Sequence, residues 1–128
     1  MKHNTLTAAL LLVLLTASCG RQHKAEAVVS DFIEANLADP NSLSGLDFRD
    51  IDSTRLISDS LIGAMRLAAT ANTSFRQPID YGGERASRLL IFTRATYRLG
   101  DRRCQDTYYI DSALTRVVAF KSNDAPDE

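Results

Sequence analysis

The sequence predicts an α+β domain in which two helices pack on one side of a small antiparallel β-meander. In two segments of the first half, apolar residues recur at three- and four-residue steps, as on the buried face of a helix. In the second half, three strand-like segments follow one another with short turns between them. The chain of 128 residues has room for one such domain.

The first helix is predicted over residues 25–38. Its acidic residues lie between apolar positions of helical spacing, which are Val28, Val29, Phe32, Ile33 and Leu37. Asp39-Pro40 ends this helix because the residue before a proline is disfavoured in helical geometry. A short alternation of apolar residues then predicts a strand over residues 43–51.

The second helix is predicted over residues 54–71. Asp52-Ser53 offers an N-cap, and one helical face carries Ile57, Leu61, Met65 and Ala68. Residues 72–87, with Pro78 and two adjacent glycines, form a long loop. Loops of this length in compact domains are usually functional or disordered.

Three strands form the predicted meander, over residues 88–99, 103–110 and 115–121. Gly100-Asp101 makes a two-residue hairpin turn, which fixes the register of the first pair. The pairs expected on the face toward the helices are Ile91 with Ile110, Thr93 with Tyr108, and Tyr97 with Cys104. The opposite face is expected to be solvated or to meet a partner. Asp106 falls on the apolar face opposite Ala95, so either the register shifts there or the carboxylate has a hydrogen-bond donor.

The residue types present exclude several kinds of site. Both histidines precede the predicted domain over residues 25–121, so Ser-His-Asp or Cys-His catalysis and His-ligated zinc are disfavoured. The acidic cluster of Asp47, Asp50 and Asp52 lacks the glycine and the final glutamate of an EF-hand loop. We therefore predict no catalytic residue, no metal site and no cofactor, and we do not expect an enzyme.

The first 18 residues have the layout of a secretory signal peptide. Lys2 and His3 give a short basic start, residues 6–15 are uncharged and mostly aliphatic, and small residues precede Cys19. The uncharged stretch from residue 6 to Cys19 has 14 residues, whereas a membrane-spanning helix needs about 20. A cleaved signal is thus favoured over a permanent transmembrane helix.

Residues 14–19, LLTASC, resemble the lipobox of bacterial lipoproteins, with Thr16 where the family pattern prefers leucine. The resemblance implies cleavage before Cys19, a thioether-linked diacylglyceryl group on its sulfur, and a tether over residues 19–24. Two or more acyl chains hold a protein on a bilayer essentially permanently. Gly20 replaces the Asp of an inner-membrane retention signal, so the expected location is the periplasmic face of the outer membrane. A secreted, soluble protein is the alternative.

The order of elements also resembles that of small lipoproteins of unknown function, which open with a helix ending in Asp-Pro and finish with antiparallel strands. An acidic tail over residues 122–128 follows the domain. This resemblance implies no activity.

Charge is divided along the predicted domain. Residues 25–60 have a balance of −6 and residues 61–121 a balance of +5. The halves either neutralise each other in the fold or leave a basic stripe for phospholipid headgroups, lipopolysaccharide phosphates or an acidic protein. The candidate binding residues are Arg88, Arg94, Arg98 and Arg103, with Tyr81 in the long loop. Nucleic acid is not an expected partner because the net charge is near zero.

Three Asp-Ser tripeptides resemble an acceptor pattern for bacterial O-glycosylation, and the candidate serines are Ser53, Ser60 and Ser112. Asp-Ser is also common in caps and turns. Cys104 has no neighbouring base, so we expect a half-buried strand residue rather than a nucleophile.

These observations predict a lipid-anchored, non-catalytic interaction module that binds an envelope protein or an anionic surface. The outer sheet face and the loop over residues 72–87 are the expected contacts, and no oligomeric state is predicted. One alternative is a periplasmic inhibitor or immunity protein that uses this loop as a plug. Another is a small envelope enzyme that uses carboxylates or Tyr81, Tyr97 and Tyr108.

Overall fold

A computed structural model describes residues 2–83 and 88–123, and residues 2–18 by their backbone alone. The elements are α1 (Lys2–Asn36), a 3-10 turn (Pro40–Ser42), β1 (Leu43–Phe48), β2 (Asp52–Thr54), α2 (Asp59–Ala69), β3 (Leu90–Leu99), β4 (Arg102–Asp111) and β5 (Val117–Ser122). The predicted α+β class with an antiparallel sheet is confirmed. Residues 84–87 of the predicted loop and 124–128 of the predicted tail lie outside the described residues.

The sheet has the strand order β1-β3-β4-β5, and β2 also pairs with β3. Gly100, with φ of +62°, turns the β3–β4 hairpin. The predicted register is confirmed, with the pairs Ile91–Ile110, Thr93–Tyr108, Ala95–Asp106 and Tyr97–Cys104. The single strand predicted over residues 43–51 is instead two short strands, because the chain leaves β3 after Phe48 and pairs with it again from Asp52.

The predicted first helix is the C-terminal part of a longer helix, which ends at Asn36. Residues 19–24, predicted as a tether, continue this helix. The side-chain amide of Gln22 donates to the Arg49 carbonyl at 3.1 Å and accepts from the Ile51 N–H at 2.8 Å. The helix is thus fixed to the domain close to Cys19. Among the described residues, no helix combines the length and apolarity needed to cross a membrane.

The main core lies between α1 and the inner face of the sheet, the face that carries the confirmed apolar pairs. Its buried side chains from α1 are Ala25, Val29, Phe32 and Ile33, and those from the sheet include Ile91, Ala95, Tyr97, Tyr108, Ile110 and Phe120. Phe32 is at the centre of the aromatic contacts. Its ring centroid lies 5.7 Å from those of Tyr81 and Phe120 and 6.0 Å from that of Tyr108.

α2 begins at Asp59, five residues after the predicted start, because β2 pairs Ser53 with Ile91 of β3. The N-cap is Ser58 rather than Asp52-Ser53, and its hydroxyl accepts from the Leu61 N–H at 3.1 Å. Two segments of this chain offer a cap, and strand pairing decides which one is used.

We expect Ser58→Ala to lower the free energy of unfolding by about 1 kcal/mol, because it leaves an N–H of the first helical turn without its acceptor. Ser53→Ala, at the cap position that the sequence suggested, should change it by less than about 0.5 kcal/mol. Urea denaturation of both variants measures the difference. Equal losses would contradict the observed start of α2.

α2 lies along β5 and closes one end of the outer face of the sheet. Ile62 and Met65 pack there with Leu90, Tyr109 and Val118. Phe92 is partly buried beside them. The two helices therefore lie on opposite faces of the sheet, and the prediction that both pack on one side is wrong in this respect. The outer face, expected to be solvated or partner-facing, is covered by α2 at this end and open at the other.

Candidate functional site

The direction of α1 defines two ends of the domain, which we call the Cys19 end and the far end. Near Cys19, Lys24 donates to the Ala113 carbonyl at 3.5 Å. At the far end, Ala38 N–H donates to the Ser74 carbonyl at 2.9 Å, and Arg102 donates to the Ser74 hydroxyl at 3.0 Å. With a helical rise of 1.5 Å per residue, Cys19 and the last residue of α1, Asn36, are about 25 Å apart.

Three of the four predicted arginines share the outer face of the sheet. Arg98 of β3 and Arg103 of β4 are direct partners in the ladder near the far end, and both are exposed. Arg94 lies on the same face, four residues before Arg98, and is half-buried. Arg88 precedes β3 at the Cys19 end and is separate from the others.

The fifth candidate, Tyr81, does not join the arginines. Its ring stacks on Phe32, and the Arg66 guanidinium lies 4.4 Å from its centroid. Burial raises the pKa of Tyr81, and the charge of Arg66 partly offsets this. Among the described residues, its hydroxyl is the one buried side-chain polar atom without a hydrogen-bond partner. Tyr81 therefore belongs to the packing between α1 and α2.

A groove of about 890 Å³ runs between α2 and the far end of β4 and β5. One wall is formed by α2 and the residues after it, including Ala64, Ala68 and Ala71, and the other carries Arg102, Arg103 and Lys121. Of these three cations, only Arg103 is among the candidate binding residues predicted from the sequence. The pairing of Lys121 with Thr107 in β4 was the missed signal, since it places Lys121 on the outer face.

A second groove, of about 440 Å³, lies between β1 and the outer face of the β3–β4 hairpin. Arg98 and Arg49 line it together with Asp47, so its charge is mixed. The two grooves share Arg103 and Gln105. The open part of the outer face is thus one continuous basic surface, which we call the Arg103 surface and define by Arg98, Arg103, Gln105 and Lys121.

The two tyrosines of the hairpin lie in the core. Tyr97 and Tyr108 both donate a hydrogen bond to Asp106 Oδ2, at 2.9 Å from Tyr108, and all three residues are at most 2% exposed. Asp106 thus has donors and the register does not shift, which settles the misfit in the pattern. Burial, followed by the neighbouring Asp106 carboxylate, raises the pKa of both phenols.

We expect Tyr97 and Tyr108 to stay protonated above pH 10, the ordinary tyrosine pKa, as long as the fold persists. Above that pH the unfolded chain loses these protons and the folded chain keeps them, so the stability falls as pH rises. Tyrosinate absorbance, recorded with circular dichroism along a pH titration, should show two phenols ionising only as the protein unfolds. Their ionisation in a chain with native circular dichroism would contradict the network.

The remaining candidate side chains are scattered. Ser53 and Ser60 are exposed in β2 and at the start of α2, whereas Ser112 is partly buried in the turn after β4. Cys19 is exposed, and Cys104 is fully rather than half buried, with its sulfur 3.6 Å from Arg102 Nη2. Within residues 2–83 and 88–123, no three His, Cys, Asp or Glu residues are grouped to hold a metal ion.

The described part of the long loop packs into the core. Phe75 is 3% exposed and forms an isolated β-bridge with Leu37. The Asp80 N–H donates to Asn36 Oδ1 at 3.0 Å, and Arg116 donates to the Gly83 carbonyl at 3.2 Å. Residues 72–83 therefore contact both α1 and the sheet and connect the two.

In comparisons with known proteins, no family model matches the chain, and no curated protein and no solved structure matches it either.

Proposed function

We propose that this protein is a lipoprotein of the bacterial cell envelope that binds an anionic partner and has no catalytic role. The proposed attachment is a diacylglyceryl group on Cys19, after removal of residues 1–18, at the periplasmic face of the outer membrane. The signal-like start and the resemblance to a lipobox support the attachment. The exposure of Cys19 is compatible with modification of its sulfur.

The position of the Arg103 surface supports the binding role. Arg98 and Arg103 lie near the end of the domain opposite Cys19, about 25 Å away along α1. Gln22 holds the cysteine end of α1 against the domain, so the arginines are directed away from the attachment point. This arrangement favours a partner located beyond the lipid headgroups over the headgroups themselves.

The two alternative functions receive less support. An inhibitor would insert the long loop into its target as a plug. The described part of this loop instead packs into the core through Phe75. Two of the tyrosines that an enzyme would use, Tyr97 and Tyr108, are buried, donate hydrogen bonds to Asp106 and do not line the larger groove.

Crosslinking in intact envelopes of the native host, followed by purification of the full chain, tests the binding role. We expect a specific adduct whose yield falls about tenfold or more when Arg98→Glu and Arg103→Glu are combined, since two reversed contacts that each cost about 1 kcal/mol weaken binding about thirtyfold. The matched control is Arg55→Glu, an exposed arginine after β2 at the Cys19 end. Absence of any adduct, or equal losses in the two variants, would count against the proposal.

A further inference from the structure

We propose that the larger groove binds an acidic amphipathic segment of a partner protein. Apolar side chains of that segment contact α2, and its carboxylates contact Arg102, Arg103 and Lys121. This inference rests on the proposed binding function and narrows the partner from any anionic group to a polypeptide.

After Asp59, the exposed face of α2 carries no charge. Ala64 and Ala68 line the groove. Leu61 and Leu67 are 43% and 71% exposed on the same helix but do not line the groove. After its first residue, α2 has one charged side chain, Arg66, which turns inward to the Val118 and Gly83 carbonyls at 2.8 and 2.9 Å. The exposed face of a surface helix normally carries charges, so this face is suited to contact with another apolar surface.

The facing wall of the groove is cationic. Arg102, Arg103 and Lys121 line it, and no Asp or Glu is among the described residues that line the groove. All three cations belong to β4 and β5, whose backbone positions are fixed by the ladder. The volume of about 890 Å³ is in the range of sites that enclose a ligand of several hundred daltons or a short chain segment.

The combination of the two walls favours a polypeptide. A lipid headgroup or a polysaccharide phosphate would match the cations and leave the apolar wall exposed to water. An amphipathic helix matches both walls, as in other complexes that seat a helix in a groove. The small residues of α2 that line the groove, Ala64 and Ala68, let such a backbone approach closely.

The experiment replaces Ala68 with a photo-crosslinking phenylalanine analogue in the full-length chain, in its native host. The control places the same analogue at Ala27, an exposed alanine of α1. We expect a protein adduct at position 68 that maps to a segment with apolar and acidic residues at helical spacing. Combining Arg103→Glu with Lys121→Glu should lower its yield about tenfold. Circular dichroism checks that the charge-reversed variant folds. If it does not, the combined Arg103→Gln and Lys121→Gln variant is used in its place.

Each other outcome overturns the inference. Adducts to lipid or polysaccharide alone, or to a second copy of this chain, would exclude a foreign polypeptide; the first of these leaves the proposed anionic binding intact. An equal protein adduct at position 27, or one insensitive to the charge changes, would show that the groove does not select it. If position 68 gives no adduct but the crosslinking of the chain still depends on Arg98 and Arg103, the groove is excluded as the binding site and the proposed anionic binding stands. If neither the adduct at position 68 nor the crosslink that depends on Arg98 and Arg103 is observed, the proposed function is contradicted as well.

Discussion

Replacing Phe32 with alanine is expected to lower the free energy of unfolding by about 4 kcal/mol, in the range for large aromatic side chains in a core. Phe32 is 8% exposed, and its ring contacts those of Phe75, Tyr81, Tyr108 and Phe120. Phe75 and Tyr81 belong to the loop over residues 72–83, and Tyr108 and Phe120 belong to β4 and β5. The cavity left by the substitution therefore opens where α1, the loop and the sheet meet.

Leu67→Ala provides the control for this prediction. It also shortens a large apolar side chain on a helix, but Leu67 is 71% exposed, so the change should stay within about 0.5 kcal/mol. Urea denaturation of both variants measures the difference. A domain of this size has a total stability of about 5 to 15 kcal/mol, so the Phe32 substitution should remove about a quarter to four fifths of it. Similar midpoints for the two variants would contradict the central place of Phe32 in the core.

Replacing Asp106 with alanine is expected to cost about 3 kcal/mol, because the Tyr97 and Tyr108 hydroxyls lose their common acceptor in a buried site. Their remaining contact with each other, at 3.2 Å, satisfies only one donor. Asp106→Asn keeps one side-chain oxygen and should lose about half as much. Asp31→Ala, at an exposed position of α1, is the control and should have little effect.

A second-site experiment separates the lost hydrogen bonds from the lost volume. Adding Tyr97→Phe and Tyr108→Phe to Asp106→Ala removes the two hydroxyls that would otherwise be left without an acceptor. We expect the triple variant to recover part of the stability, since replacing all members of a buried polar network is less costly than removing one. A triple variant less stable than Asp106→Ala would show that the phenol groups have other important partners.

The hairpin could be predicted closely from the sequence because two local signals agree. Gly100-Asp101 has the residues of a two-residue turn, and apolar residues alternate on both sides of it, so one register satisfies both. The buried Asp106 was identified as a misfit from the same register. Its donors, Tyr97 and Tyr108, lie on neighbouring positions of the same face, but the direction of their hydroxyls depends on packing.

The start of α2 and the cover of the outer face could not be predicted in the same way. Ser53 and Ser58 are both followed by sequence that can begin a helix, and only the pairing of β2 with β3 excludes the first. Alternation assigns a residue to a face of the sheet but does not say which helix covers that face. Leu90 and Tyr109 lie on the outer face, which was expected to be solvated or to meet a partner, and α2 packs on them there.

The Arg103 surface could be predicted in part. Parity brings Arg98 and Arg103 together because both are on the same face of one hairpin. The α2 wall of the larger groove depends on the tertiary position of that helix, and alanines at helical spacing carry no signal that separates a groove from a core. Phe75 and Tyr81, in a loop without periodicity, likewise gave no indication that the loop packs against α1.

The mass of the N-terminal peptide of the mature protein, extracted from the membranes of its native host, tests the proposed attachment most directly. We predict a peptide that begins at Cys19 and carries a thioether-linked diacylglyceryl group. A peptide that retains residues before Cys19, or one whose Cys19 thiol is unmodified, would contradict the proposal that this domain works at a membrane with its Arg103 surface directed away from it.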